Sequence, residues 1–379
     1  MCSTGSSVCR TILTYFTVFL FIIVSCIQSA AQRKTNSIQL RKVKEEQLLI
    51  SNFSQYYKNW SKQFVELMEE HEKHYGIKPE VVRTIFGLCS TPKHPWPTPL
   101  ESSPFLIDRP EFCRARPNVR YLVAVHSHTK SRHRRDLIRS TWASFRRVND
   151  VRFATLFFLG RAENEKAQME INQESAQYQD IIQRDFVEDY HNMTRKHLTV
   201  LEWVSKGYCQ SLEYLIKVDD DTFVDVFHLA RFLKTERLKT PDSFYCSATS
   251  GAKPIRPSKK TSSKWVITKT EFEKNVFPTY CEGLGYIIEA SLAPYLYWCS
   301  LFTPPIWIDD VYVTGILAEN LGLQRQEFIP GHTYSRVGPS KQNEALLDNI
   351  FLTSYYSEFL PETFRRIWQT AVSCSMDII

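Results

Sequence analysis

The sequence predicts an α/β fold: a mostly parallel, doubly wound sheet with helices on both faces. Three observations predict it. From Tyr121 onward, short apolar runs rich in β-branched and aromatic residues alternate with segments of helical length and periodicity. One of these runs, Leu215 to Val218, stops abruptly on Asp219, Asp220 and Asp221. Three adjacent carboxylates do not continue a buried strand, whereas at its C-terminal end they stand at the sheet edge where such folds bind ligands. Finally, neither Gly-x-Gly-x-x-Gly nor a Walker pattern occurs, which removes the main support for a dinucleotide or P-loop site.

The elements follow in order. Tyr121 to Val125 is a buried strand, Arg134 to Phe145 a helix, Arg152 to Leu159 a second strand closed by Gly160, and Arg161 to Tyr178 a polar helix. Asp180 to Gln183 is short and β-branched. Lys196 to Tyr208 is a helix with Leu198, Leu201, Trp203 and Val204 as its apolar positions. The next strand ends on the aspartates. Their mutual repulsion calls for a cation, and a hard divalent ion with oxygen ligands commonly shares its remaining positions with a substrate diphosphate. The bland alternative is a solvated acidic turn, against which the apolar stretches on both sides argue.

The 379 residues, 43% hydrophobic and 13% aromatic, are enough for one large domain with accessories. The net charge of +6 is modest and the basic residues are scattered apart from a cluster at Lys130 to Arg147, so no nucleic-acid partner is expected. Residues 1–11 form a short tail, and 12–31 a membrane anchor or signal segment. Ile12 to Ile27 is almost wholly apolar, with Arg10 before it and Arg33 and Lys34 after it. Positive charge lies mainly on the far side, against an anchor with a cytosolic N-terminus, and Ser29, Ala30 and Ala31 resemble a cleavage site. Both alternatives deliver the chain after about residue 32 to the secretory lumen.

Sequons at Asn52, Asn59 and Asn192 agree with that compartment. So do the cysteines after the apolar segment (Cys89, Cys113, Cys209, Cys246, Cys281, Cys299 and Cys374), none in a close Cys-x-x-Cys pair, which read as disulfide partners with one left over. Residues 32–117 read as a stem: a loosely amphipathic stretch from Lys44 to Tyr75, then a proline-rich boundary from Thr91 to Pro117. The folded body, 118–379, is expected to begin near Asn118.

Eight blocks carry a family resemblance. They are Arg135-Asp-Leu-Ile-Arg139-Ser-Thr-Trp142, Phe157-Phe-Leu-Gly160, Asp185-Phe with Tyr190-His-Asn-Met-Thr-Arg-Lys196, Lys217-Val-Asp-Asp-Asp-Thr-Phe223, Pro254-Ile-Arg256, Lys264-Trp265, Gly283-Leu-Gly-Tyr286 and Ile308-Asp-Asp-Val-Tyr-Val-Thr-Gly315. In this order they resemble the β-1,3-galactosyltransferases and β-1,3-N-acetylglucosaminyltransferases, glycosyltransferase family 31, over roughly residues 118 to 370. The resemblance implies a Rossmann-like GT-A fold and a single-pass type II protein of the Golgi membrane with a lumenal catalytic domain. It also implies a divalent cation, usually manganese, a UDP-sugar donor and inversion at the anomeric carbon, with a glycan on glycoprotein or glycolipid as acceptor.

By similarity Asp219, Asp220 and Asp221 form the family's Asp-x-Asp element, with Asp221 the direct metal ligand and Asp219 nearer the ribose. His332, in Pro330-Gly-His332, lies where the family carries a histidine that completes the metal shell. Arg135 and Arg139, four apart on one helix face, are candidates to meet the nucleotide or phosphate; on spacing alone they read as a solvated basic face. Inversion needs a base for the acceptor hydroxyl. Asp309 and Asp310 follow Pro304-Pro-Ile-Trp-Ile, where many family members have Glu-Asp-Val, and the preserved second acid makes Asp310 the expected base. Gly283 and Gly285 let backbone approach substrate, and Trp265, Trp307 and Tyr286 are either sugar-stacking rings or core residues.

The expected function is transfer of galactose or N-acetylglucosamine from a UDP-sugar, in β-1,3 linkage. A glycosidase has no use for a metal-binding triplet, and an aspartate-rich isoprenoid synthase carries its acids on helices of an all-α fold. A non-catalytic lumenal glycan-binding protein is the alternative from another class; it has no need of a base at Asp310.

Overall fold

Period-two burial builds the central sheet. In the strand β2 (Tyr121–His126) every residue is buried. Tyr121, Val123 and Val125 enter one core and Leu122 and Ala124 the other. The computed structural model describes Cys89 and residues 103–148, 150–235, 240, 242–258, 263–327, 335–337, 351–354 and 361–375. The segment from Ile12 to Ile27, the sequons at Asn52 and Asn59, and His332 lie outside the described residues. Among the described residues no helix is long and apolar enough to cross a membrane.

Before β2 comes β1 (Phe105–Ile107), and after it follow α1 (Arg132–Ser140), β3 (Arg147–Val148), β4 (Val151–Arg161), α2 (Glu165–Tyr178), β5 (Ile181–Val187), α3 (Met193–Ser205), β6 (Tyr214–Asp219), β7 (Phe223–Val224) and α4 (Val226–Thr235). Then come β8 (Ser243–Thr249), β9 (Tyr280–Glu289), α5 (Ala293–Phe302), a π-helix (Val311–Leu317), β10 (Gln324–Glu327), β11 (Ser335–Val337), β12 (Phe351–Ser354) and α6 (Pro361–Ser375). The main sheet runs β1-β5-β4-β2-β6-β9-β8-β10, with β3 against β4, and a small sheet runs β11-β12-β7.

β5-β4-β2-β6 are parallel, as are β8 and β10, while β9 is antiparallel to both β6 and β8. That reversal matters for the site, because it lays the start of β9, with Gly283 and Gly285, beside the C-terminal end of β6.

Helices cover both faces, as the alternation predicts. On one, α1 and the 3-10 turn after it, with α4 and α6, contribute Ile138, Trp142, Leu229, Leu233, Phe364 and Ile367 to the cluster under Val123, Phe157 and Val218. On the other, α3 packs on β2, β4 and β5 and against α5, with Trp203 edge-on to Phe158. Burying this apolar surface, at about 25 cal/mol per Å², is the main driving force for the fold.

Helix ends differ from expectation for local reasons. α1 stops at Ser140 and a short 3-10 turn follows, because Thr141 leaves helical geometry at φ −122 and ψ −118. α2 starts at Glu165, where the Asn164 side chain accepts the Ala167 N–H at 2.9 Å. The sheet also reaches back before Asn118, since β1 pairs antiparallel with β5. Disulfides join Cys89 to Cys299, Cys113 to Cys209 and Cys246 to Cys281, leaving Cys374 free and exposed.

Candidate active site

Parallel register sets His126 at the end of β2 beside Asp219 at the end of β6. The chain then turns, with Asp220 N–H donating to His126 O at 3.0 Å, so the triplet occupies the sheet edge as the sequence predicts. Asp220 is the held member: Ser127 Oγ donates to it at 2.8 Å and Arg134 Nη1 at 2.7 Å. Asp219 accepts from Lys217 Nζ at 2.8 Å, and the same ammonium donates to Gly283 O at 2.6 Å, tying β6 to β9. Asp221 is different. Its Oδ1 is buried with no hydrogen-bond partner among the described residues, and burial, then repulsion from Asp219 and Asp220, pushes its pKa up to about 7.

The two arginines singled out in the sequence are employed elsewhere, and the donor-contact expectation for Arg135 and Arg139 does not fit. Arg135 is fully buried and grips both oxygens of Glu174 at 2.7 and 2.6 Å, with Nη1 also donating to His128 O. Arg139 donates to both oxygens of Asp180 at 2.8 Å, reaches Glu174 at 2.8 Å and lies over the Tyr178 ring. Their spacing of four does set them side by side, but on the face of α1 that meets α2 and the start of β5. Arg134, one residue earlier and so rotated by about 100°, is the arginine of α1 that reaches the aspartates.

Asp309 and Asp310 follow the loop 303–308 and immediately precede the π-helix, an uncommon geometry that recurs at functional sites. Their environments separate them. Asp309 Oδ2 lies 3.0 Å from His197 Nδ1 and 3.8 Å from His126 Nδ1. Burial raises its proton affinity, but the His197 hydrogen bond and the Lys217 charge outweigh this and leave its pKa lowered. The Asp310 carboxyl accepts the Val311 N–H at 2.7 Å. Burial and then the Asp309 charge push its pKa up to about 7. One acid is thus locked and ionised, and its neighbour is poised near neutrality, the pattern suited to a general base.

Gly283 borders this acid. A methyl group there would stand 3.3 Å from Asp310 Oδ2, so glycine keeps the space beside the carboxyl open. Tyr286 is buried and its hydroxyl is engaged 2.6 Å from His197 Nε2, which rules it out as a stacking ring. Trp265 is 49% exposed, and Trp307 is partly exposed against Tyr190 and His191. Asn192 precedes α3, with its amide donating to Val187 O at 2.9 Å.

His126, His197 and Lys217 escaped the sequence reading. They share one face of β2, α3 and β6, and both ring nitrogens of buried His126 lack a hydrogen-bond partner among the described residues. Burial, then the Lys217 charge, drives its pKa well below the usual histidine value, so the ring is neutral. For His126 and Lys217 the signal available was a polar residue in an otherwise apolar run.

An acidic sheet edge at Asp219 to Asp221 and the carboxyl of Asp310 beside Gly283 thus meet around the junction of β6 and β9. Residues 133–328 match the family model described as galactosyltransferase, and the chain belongs to that family, glycosyltransferase family 31. It is 33% identical over 220 residues to beta-1,3-galactosyltransferase 1 of Homo sapiens and of Mus musculus, covering 58% of this chain and 65% of those relatives. It is 32% identical over 225 residues to beta-1,3-galactosyltransferase 5 of Homo sapiens, covering 58% of this chain and 70% of that one. The match therefore spans less than two thirds of the length of beta-1,3-galactosyltransferase 1. Among solved structures it is similar to a glycosyltransferase involved in the glycosylation of the major capsid of PBCV-1, with 9% identity, a TM-score of 0.36, and 65% of this chain and 98% of that chain covered.

Proposed function

We propose that the chain is an inverting hexosyltransferase that moves galactose or N-acetylglucosamine from a UDP-sugar to a glycan hydroxyl, in β-1,3 linkage. The observation that carries this is Asp310: a carboxyl held near neutrality, with open space at Gly283 and the acidic edge of β6 in the same site. In this reading Asp310 takes the proton from the attacking hydroxyl as the sugar leaves its phosphate, in line with inversion. Burial, and then the charge of Asp309 fixed by His197, hold Asp310 at its raised proton affinity. Lys217 and Arg134 hold Asp219 and Asp220 in place at the donor end.

A divalent cation, taken as manganese, fits the residues present. An orphaned buried carboxylate oxygen on Asp221, among mutually repelling acids, suits a hard ion with oxygen ligands. Among the described residues no group of three or more His, Cys, Asp or Glu is arranged to hold a metal ion, so Asp221 and His332 would share it with substrate oxygens. When bound, the ion offsets the charge that develops on the departing UDP. The three disulfides support an oxidising compartment such as the secretory lumen, and the Golgi membrane with a type II anchor is proposed on the family membership alone.

The purified full-length chain, incubated with manganese, UDP-galactose or UDP-N-acetylglucosamine and a mixed glycan acceptor pool, should release UDP and should stop on addition of chelator. No UDP release from either donor would leave the glycan-binding alternative.

A further inference from the structure

Four aromatic side chains from three separate segments meet close to the two acids. Tyr190 and His191 come from the 3-10 turn before α3, Trp265 from the loop between β8 and β9, and Trp307 from the loop ending at Asp309. Ring centroids are 4.6 Å apart for His191 and Trp307 and 5.9 Å for Tyr190 and Trp307. Trp265 Nε1 donates to Tyr190 Oη at 2.8 Å, and Lys264 Nζ stands 4.9 Å from the centroids of both those rings.

The cluster is built rather than incidental. Thr194 Oγ1 donates to Ile306 O at 2.6 Å, fixing the Trp307 loop to the start of α3. Asp189 accepts the His191 N–H at 2.8 Å. Arg256 donates to Ile267 O, Thr268 O and Lys274 O, bracing the loop that carries Trp265. Yet Trp265 and Tyr190 remain 49% and 42% exposed, so these rings are held in position without being buried by the fold. The Tyr190 phenol also lies within the negative field of Asp309, Asp310 and Asp219, which sets the cluster next to the candidate base.

We propose that Tyr190, His191, Trp265 and Trp307 form the platform for the acceptor, on which the apolar face of its terminal pyranose stacks while a ring-edge hydroxyl is directed to Asp310. A flat ring with C–H groups on its face and hydroxyls around its edge matches aromatic faces rimmed by an ammonium, an imidazole and carboxylates. Assignment to the acceptor rests on the function proposed above: Trp307 stands three residues from the base, whereas the donor's diphosphate belongs with Asp221.

The test separates platform from function by reading binding directly. Saturation-transfer NMR on the full-length chain, with UDP and manganese present, uses methyl β-galactopyranoside and methyl N-acetyl-β-glucosaminide as probes. At least one glycoside should receive saturation on the hydrogens of one ring face. The transfer should fall by about 5- to 10-fold in Trp265→Ala and Trp307→Ala and persist in Trp265→Phe, the range expected for one aromatic contact. With an active enzyme, acceptor KM should rise by a similar factor in Trp265→Ala. Binding of this pattern in a chain that transfers no sugar would keep the platform and reject the transferase. Absence of transfer to both glycosides in the native chain, or equal transfer in native and Trp265→Ala, would overturn the platform.

Discussion

His197 bridges Asp309 and Tyr286 with its two ring nitrogens, at 3.0 Å from the carboxylate and 2.6 Å from the phenol. Burial lowers its pKa, only partly offset by Asp309, so the ring is neutral. With Nδ1–H donating to Asp309 and Nε2 accepting the Tyr286 hydroxyl, every polar atom of the bridge is satisfied. His197→Ala should release Asp309, lowering kcat about 10-fold while donor KM is kept, because the effect passes through the position of the acids and not through a substrate contact. Steady-state kinetics in both substrates checks this, and an unchanged kcat would make the bridge purely structural.

A carboxyl serves as a general base only when ionised, so with Asp310 in the proposed role turnover should be low below its pKa of about 7 and rise above it. Part of that elevation comes from the Asp309 charge. Asp309→Asn removes the charge, so the acid limb of the kcat profile should move to lower pH. A limb that stays in place would assign it to another group.

Arg135 and Glu174 form a buried, two-pronged ion pair. Removing one partner of such a pair leaves an uncompensated buried charge, so Arg135→Ala should destabilise the fold by about 3–5 kcal/mol. Urea denaturation measures it. A fold of native stability with raised donor KM would restore the donor-contact role expected from the sequence.

Much of this was legible in the residues and some was not, for definable reasons. The apolar run into Asp219 announced both strand and sheet edge, because no buried strand continues through three carboxylates. Asp310 was legible as an acid after an apolar run, in family register. The arginines were not: periodicity gave Arg135 and Arg139 a common face, but which face α1 turns to the sheet depends on partners such as Glu174 and Asp180, 35 or more residues away. Strand direction is equally nonlocal, so the antiparallel entry of β9 beside β6 could not be foreseen from Gly283 and Gly285 alone. His126 and Lys217 looked like interruptions of apolar runs, and only the register of β2 on β6 makes them neighbours of Asp219.

The central claim is that Asp310 is the base, and Asp310→Asn tests it most directly. Size and hydrogen bonding are kept while the basic oxygen is lost, so kcat should fall by about 10²-fold or more, with UDP affinity in manganese, measured by calorimetry, unchanged. Asp309→Asn, assayed alongside, should lose less. Full turnover by Asp310→Asn, or a loss of UDP affinity that accounts for its inactivity, would contradict the assignment.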